Sequence, residues 1–404
     1  MERFVEEAQD SRRALAIGYG GWACDAFDHQ IVSLAIPLLL TALPMSMTAA
    51  GGIASAALIA AAIGGTLGGL AADRYGRLAV LQVAILIASV ATAFCAMATT
   101  PDLLFAARTV QGFAFGAEWS AGAVLVAEAA GKRHRGLLMG LMQSAWATGW
   151  AAAVVAFLIA TTLFTPDHAW RAMFIAGLLP LAFVVWLRWS GTDETINPVA
   201  PRMSDQQSGS YAGRSRLALT VTLGFGAHGG YHAAFTWLPT VIGLSGDDRT
   251  RQSLVLALAV LGFAIGCVVA GRIADQWGRR PTLALFAFGA ALATCSIAFW
   301  PTMLAWRLLF AGLLGLAAGG VPAILACWFT ELFPKQVRGA AVGASYNVGR
   351  LLSALLPVSI GWAAAYMPLA VVVAGVAAAS YGLIVLIIPF LPETRPAFAA
   401  AASL

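Results

Sequence analysis

Two aspartates three residues apart, Asp25 and Asp28, interrupt an otherwise apolar run near the amino terminus. On a helix that spacing puts both carboxylates on one face. Two carboxylates sharing a dry site cannot both ionise cheaply, so one of them is suited to take up and release a proton near neutral pH. The alternative is a fixed bridge to an interior arginine. Arg350 offers that cation: its guanidinium cannot lose its proton, and its fork of donors matches a carboxylate, whether that of a bound substrate or of an aspartate. Asn347 precedes it by three residues and shares its face. Glu118, beside Trp119, is a second candidate proton carrier or the partner of a cation on a neighbouring helix, and Arg108 lies ten residues before it, near enough to the span end to snorkel or to hold substrate. His228 and His232 stand at i and i+4 with Tyr231 between them. They can bond as neutral rings or meet an anion when protonated. The pair has metal spacing, but without a third ligand no metal is assigned. Gln143 and Trp146, together with Trp150, Tyr346 and Phe235, can line an amphipathic cavity or simply pack.

The elements that must position these residues follow from composition. The chain has 404 residues, of which 60% are hydrophobic and 11% charged. A soluble domain carries roughly a quarter charged residues, so lipid is this chain's main solvent. Apolar stretches of about 20 residues, long enough to cross a bilayer core, recur near 14 to 40, 50 to 72, 78 to 99, 102 to 128, 137 to 163 and 171 to 190. A second set falls near 216 to 243, 252 to 274, 281 to 300, 303 to 330, 339 to 364 and 369 to 391. Asp25 and Asp28 thus lie roughly 16 and 21 Å along the first helix at about 1.5 Å per residue. An ionisable group so deep costs at least roughly 2.5 kcal/mol on insertion scales, which marks it as a functional candidate.

Twelve spans bring both termini to one side. Of the 24 Lys and Arg, three fall inside spans (Arg108, Arg307, Arg350) and three on one loop set (Arg171, Arg249, Arg251). All the others lie on the opposite loop set or at the span ends that meet it, which marks the cytoplasm. The net charge of +5 therefore reflects membrane topology and gives no reason to expect nucleic acid. The five cysteines all lie in spans without metal-ligand spacing and read as free, packed thiols. The first span, interrupted by two Asp, is unlike a cleavable signal and is expected to stay. Residues 191–215 form a polar linker between bundles at 1–190 and 216–404. The other loops are too short for a catalytic or nucleotide-binding domain, and no cofactor is implied.

The chain repeats its landmarks. Gly69-x-x-x-Asp73-Arg74-x-Gly76-Arg77 returns as Gly271-x-x-x-Asp275-x-x-Gly278-Arg279-Arg280, an offset of 202 residues from Asp73 to Asp275. Glu128 returns as Glu331 and Arg135-Gly136 as Arg338-Gly339, each offset by 203. A parallel duplication of a six-helix bundle places a substrate path where its halves meet.

These paired motifs resemble the signature of the major facilitator superfamily, over nearly the whole chain. Arg108-x-x-Gln111-Gly112-x-x-x-Gly116-x-Glu118-Trp119 and Trp22-x-x-Asp25-Ala26-Phe27-Asp28 are similar to elements of its proton symporters for sialate, lactate and other carboxylates and of the related metabolite:proton symporters. The resemblance implies an all-α membrane protein with twelve transmembrane helices in two pseudo-symmetric six-helix bundles. It also implies cytoplasmic latches, in which Asp73, Arg77, Glu128 and Arg135 serve one half and Asp275, Arg279, Glu331 and Arg338 the other. Leu78 departs from the first motif, which usually continues with a basic residue, so the amino-terminal latch is expected to be the weaker.

The expected function is proton-coupled uptake of a small organic anion by alternating access, in a monomer of the cytoplasmic membrane. Asp28, Asp25 and Glu118 would be the protonation sites, and Arg350 and Arg108 would attract the carboxylate. The rival is a sugar or polyol symporter. Span five lacks the Gly-Pro element usual in the superfamily's antiporters, which argues against efflux. A membrane-embedded enzyme would need a nucleophile or metal constellation that the sequence does not show.

Overall fold

A computed structural model describes residues 2–129, 135–189, 211–246, 248–299, 303–334 and 338–394. Side chains are described within these ranges except at 2–14, 70, 73, 77, 118–129, 135–138, 187–189, 211–212 and 338–340. The described chain is helical throughout: α1 Glu2–Ala42, α2 Met47–Tyr75, α3 Arg77–Cys95, α4 Pro101–Ala129, α5 Arg135–Leu163, α6 Pro166–Ala176, α7 Pro180–Trp189, α8 Tyr211–Leu244, α9 Arg249–Trp277, α10 Arg279–Ala298, α11 Leu304–Leu332, α12 Arg338–Ser353, α13 Leu356–Ala363 and α14 Leu369–Ile387.

Fourteen segments appear where twelve spans are expected because two spans are broken. Proline explains both breaks. Pro180 has no N–H to give the Ala176 carbonyl, and the chain turns through Gly177, whose N–H bonds Phe174 instead. Pro357 likewise leaves the Ser353 carbonyl without its helical donor, so α12 ends at Ser353 and α13 restarts at Leu356. Joining α6 with α7 and α12 with α13 restores the twelve-helix count. Nine helices among the described residues are long and apolar enough to cross a membrane. The remaining three, α4, α8 and the broken α12–α13, carry Arg108, the histidine pair and Arg350. Large apolar residues such as Ile63, Val83, Phe94, Leu261, Leu292 and Leu313 stand exposed along the helices, as lipid-facing residues do.

The sequence repeat is also a repeat of backbone shape. Gly76 joins α2 to α3 at φ 91° and Gly278 joins α9 to α10 at φ 107°, a conformation that any side chain would strain. Pro37 in α1 and Pro239 in α8 are another such pair. Helix crossings repeat as well. A Cβ on Gly112 or Gly116 of α4 would strike the Ala57 or Ala61 carbonyl of α2, and one on Gly315 or Gly319 of α11 would strike the Ala259 or Phe263 carbonyl of α9. The α2/α4 and α9/α11 crossings therefore bring backbone onto backbone in matching register, which small residues permit.

Contacts divide the chain into two compact units. Unit 1 is Met1–Lys132, Ala145–Ala200 and Leu238–Ser253, and unit 2 is Arg133–Ser144, Pro201–Trp237 and Leu254–Leu404. The five cysteines are free. Three are buried, but Cys24 is only partly so and Cys295, expected to be packed, is exposed on α10.

Candidate functional site

In unit 1, α1 carries the carboxylates inward. Asp25 and Asp28 are each 3% exposed, and the path of α1 is set where Gly149 of α5 leaves room for the Ala23 carbonyl and the Phe27 amide. Arg108 of α4 is 2% exposed. It does not snorkel, because its Nη1 turns toward α1 and donates to the Asp28 carbonyl at 3.4 Å. Among the described residues, Asp28 Oδ1 and Arg108 Nε make no hydrogen bond, so the oxygen can still accept a proton or a bond from a water or a ligand, and the Nε–H can still donate to a water or a ligand. Aromatic rings from three helices gather on the same stretch of α1. Trp22 lies 4.9 Å from Trp146 of α5 and 6.3 Å from Phe115 of α4, and His29 lies 5.4 Å from Phe115 and 5.5 Å from Trp146. Trp146 is thus placed beside the carboxylate helix. The side chain of Glu118 lies outside the described residues.

In unit 2, α8 and α12 cross at two glycines. A Cβ on Gly349 would come within 2.6 Å of Gly224, and the buried hydroxyls of Thr220 and Ser345 bond across the crossing at 2.7 Å. This crossing sets His228 of α8 against Tyr346 of α12, ring centroids 4.3 Å apart and edge to face. Arg350 is 2% exposed and holds its guanidinium carbon 4.8 Å from the centre of the Tyr346 ring. It occupies the last turn of α12, where the helix's terminal carbonyls favour a cation. One of those, its own, accepts from Ser353 Oγ at 2.9 Å. His232 stacks 6.1 Å from His228, and Tyr231 joins His232, Phe235 and Phe263 of α9. Asn347 is half-buried, with no hydrogen bond to its Oδ1 among the described residues. Gln143 is buried on α5, in the part that belongs to unit 2. Arg307, placed inside a span by the sequence, is 5% exposed, near the start of α11. No group of three or more His, Cys, Asp or Glu among the described residues is placed to hold a metal.

A charge cluster occupies the start of α10. Arg279 is almost wholly buried and grips Glu331 with two bonds, Nη2 to Oε1 at 2.9 Å and Nε to Oε2 at 3.1 Å, while Nη1 holds Asp275 at 2.8 Å. The sequence motif foretells these three residues. It does not foretell Glu393, whose carboxylate accepts the Arg279 and Arg280 amides at 2.8 and 2.9 Å and so caps the α10 N-terminus. Thr394 donates to Glu331, and Trp328 Nε1 bonds the Pro392 carbonyl. A Cβ on Gly278 would lie 2.7 Å from the Glu393 carboxylate, so glycine is needed there both for its φ and for the close approach of this acid. The only signal for Glu393 in the sequence is an acid just beyond the last span. Of the latch residues, Asp73, Arg77, Glu128, Arg135 and Arg338 have side chains outside the described residues. Glu393→Ala should lower stability by about 1–2 kcal/mol, read as an earlier melting transition in detergent, because two charge-assisted helix-terminal bonds are lost together.

Comparison with known proteins is informative over the full length. The model of the Major Facilitator Superfamily matches residues 19–357 and 246–403. A Cupriavidus pinatubonensis protein described as "Probable 4-methylmuconolactone transporter" is 33% identical, over 93% of this chain and 89% of its own. The cis,cis-muconate transport protein of Acinetobacter baylyi is 30% identical, over 84% of each. Among solved structures, the proton:xylose symporter XylE bound to 6-bromo-6-deoxy-D-glucose superposes with a TM-score of 0.76, at 18% identity, over 96% of this chain and 97% of that one. At that identity the likeness speaks for the fold alone.

Proposed function

Because the chain belongs to the major facilitator superfamily, whose members are transporters and not enzymes, we propose that it carries a small organic acid inward with protons by alternating access. Arg350 carries the reading. A permanently charged guanidinium buried in the membrane, held over an aromatic ring at a helix end, is a costly arrangement that a carboxylate substrate would repay. The named relatives support an acid as cargo, one for cis,cis-muconate and one for 4-methylmuconolactone. Conjugated or aromatic carboxylates are therefore the first class to test.

In this reading Arg350 takes the carboxylate, with Asn347, Tyr231, His228, His232 and Gln143 of unit 2 as further candidate contacts, and Trp146 is a separate candidate in unit 1. Arg108 stabilises negative charge on the carboxylate helix and contributes to drawing in the anion. Asp28 is the principal proton site, with Asp25 and Glu118 as partners in the relay. A protonated Asp28 leaves Arg108 with less local negative charge, so proton and substrate anion favour one another's binding, which is the coupling symport needs. The Asp275–Arg279–Glu331 cluster, with Arg338 and the corresponding Asp73, Arg77, Glu128 and Arg135, acts as the cytoplasmic gate. The repeat implies bundles at 1–190 and 216–404 joined by a linker, working as a monomer in the cytoplasmic membrane with both termini inside.

The test is uptake into proteoliposomes of labelled cis,cis-muconate, benzoate, lactate, sialate and xylose, with and without an inward proton gradient. An acid should enter, and the gradient should stimulate it. Xylose uptake without acid uptake would overturn the reading and leave the arginines with structural roles.

A further inference from the structure

Tyr346 has no part in the binding set above, yet the geometry around it is specific. One side of its ring carries the Arg350 guanidinium at 4.8 Å, and the His228 ring meets it edge to face at 4.3 Å. The three groups sit on two closely packed helices, α8 and α12. Gly224 and Gly349 bring α8 and α12 into backbone contact, and the Thr220 to Ser345 bond ties them within one turn of Tyr346. Three residues after Arg350 the helix stops, with Ser353 bonded to the Arg350 carbonyl and α13 beginning at Leu356.

A long arginine side chain loses much rotamer freedom when it binds, and bidentate recognition demands one orientation of its fork. A rigid aromatic face under the guanidinium removes part of that freedom before the ligand arrives. We infer that Tyr346 is a positioning residue that presents the Arg350 fork to the substrate carboxylate, and that His228, by bracing the ring, belongs to the same device. The inference rests on the acid-transport reading and extends it. Affinity for the acid depends on the Tyr346 ring as well as on the charge of Arg350. The face of the ring does the work, so its hydroxyl is dispensable.

The experiment measures uptake kinetics of whichever acid of the panel above the wild-type protein carries, for Tyr346→Leu, Tyr346→Phe, Arg350→Lys and the Tyr346→Leu/Arg350→Lys double variant. Amounts of folded protein are matched by size-exclusion chromatography. Tyr346→Leu should raise KM about tenfold with Vmax largely kept, and Tyr346→Phe should restore most of the loss. The double variant should be no worse than Arg350→Lys alone, because a group acting through the arginine has nothing further to lose. Full additivity, a Phe variant as impaired as Leu, or a fall in Vmax with KM unchanged would each overturn the assignment. If Arg350→Lys transports as the wild type does, the fork of Arg350 has no role in binding and the assignment of Tyr346 falls with it; if no acid is carried, the acid-transport reading itself fails. Arg350→Lys impaired beside a normal Tyr346→Leu sinks only the positioning role.

Discussion

Asp28→Asn should leave a protein that exchanges substrate across the membrane but cannot concentrate it. The amide is isosteric and stays neutral, so it imitates the protonated carboxyl through the whole cycle and releases nothing. With one proton moved per monovalent anion the cycle is electroneutral, and each unit of pH gradient can sustain about tenfold accumulation. In the variant that ratio should collapse to about one at any gradient, while counterflow of labelled against unlabelled substrate continues. Counterflow is the informative control, because a misfolded protein would lose both. The structural basis is the position of Asp28 on α1, 3% exposed, with Arg108 turned to its backbone carbonyl and one carboxylate oxygen left without a hydrogen bond among the described residues. Gradient-driven accumulation that survives the substitution would transfer the proton to another site.

Arg350→Gln should produce the largest loss of affinity. Removing one partner of a buried, hydrogen-bonded charge pair costs about 2 kcal/mol or more, so KM for the acid should rise by at least about thirtyfold. Glutamine keeps a donor and much of the length but neither the charge nor the fork. Arg350→Lys, which keeps the charge alone, should fall between the two. Because Arg350 is buried over Tyr346 in the last turn of α12, the variant also removes a packed side chain. Melting in detergent separates that effect from binding. Normal uptake by a well-folded Arg350→Gln protein would refute the substrate role of this residue.

The two predictions draw on the same physical circumstance. A charge inside a membrane is tolerated only where something repays its desolvation, and the charge itself is reversible on a carboxyl of α1 but permanent on Arg350 of α12. A carboxyl can discard its charge by binding a proton, whereas a guanidinium cannot. This asymmetry suits one helix to the proton and the other to the anion.

How much of this could be read from the chain alone depends on whether the information is local. Hydrophobic runs of bilayer length, the excess of basic loop residues and the repeat of Asp73 to Arg77 at Asp275 to Arg279 are one-dimensional properties, and they yielded the helix count and the duplicated architecture. Gly76 and Gly278 belong to that motif, and the positive φ each adopts is a property of the folded backbone. Buried ionisable residues were legible because their cost in lipid makes each one conspicuous. The breaks after Ala176 and Ser353 were less visible, although Pro180 and Pro357 cause them, because proline in a membrane helix can kink or interrupt and the sequence does not say which.

What only tertiary structure decided is partnership. No spacing rule connects Glu393 with the amides of Arg279 and Arg280, more than a hundred residues away, or distinguishes an Arg108 that reaches α1 from one that snorkels. Tyr346 was one aromatic among many until the Gly224/Gly349 crossing brought His228 to the ring that Arg350, four residues on in the same helix, covers. Sequence records which groups are too polar to be left in lipid. Which of them meet is determined by how closely the helices approach, and that depends on side chains from both helices at once.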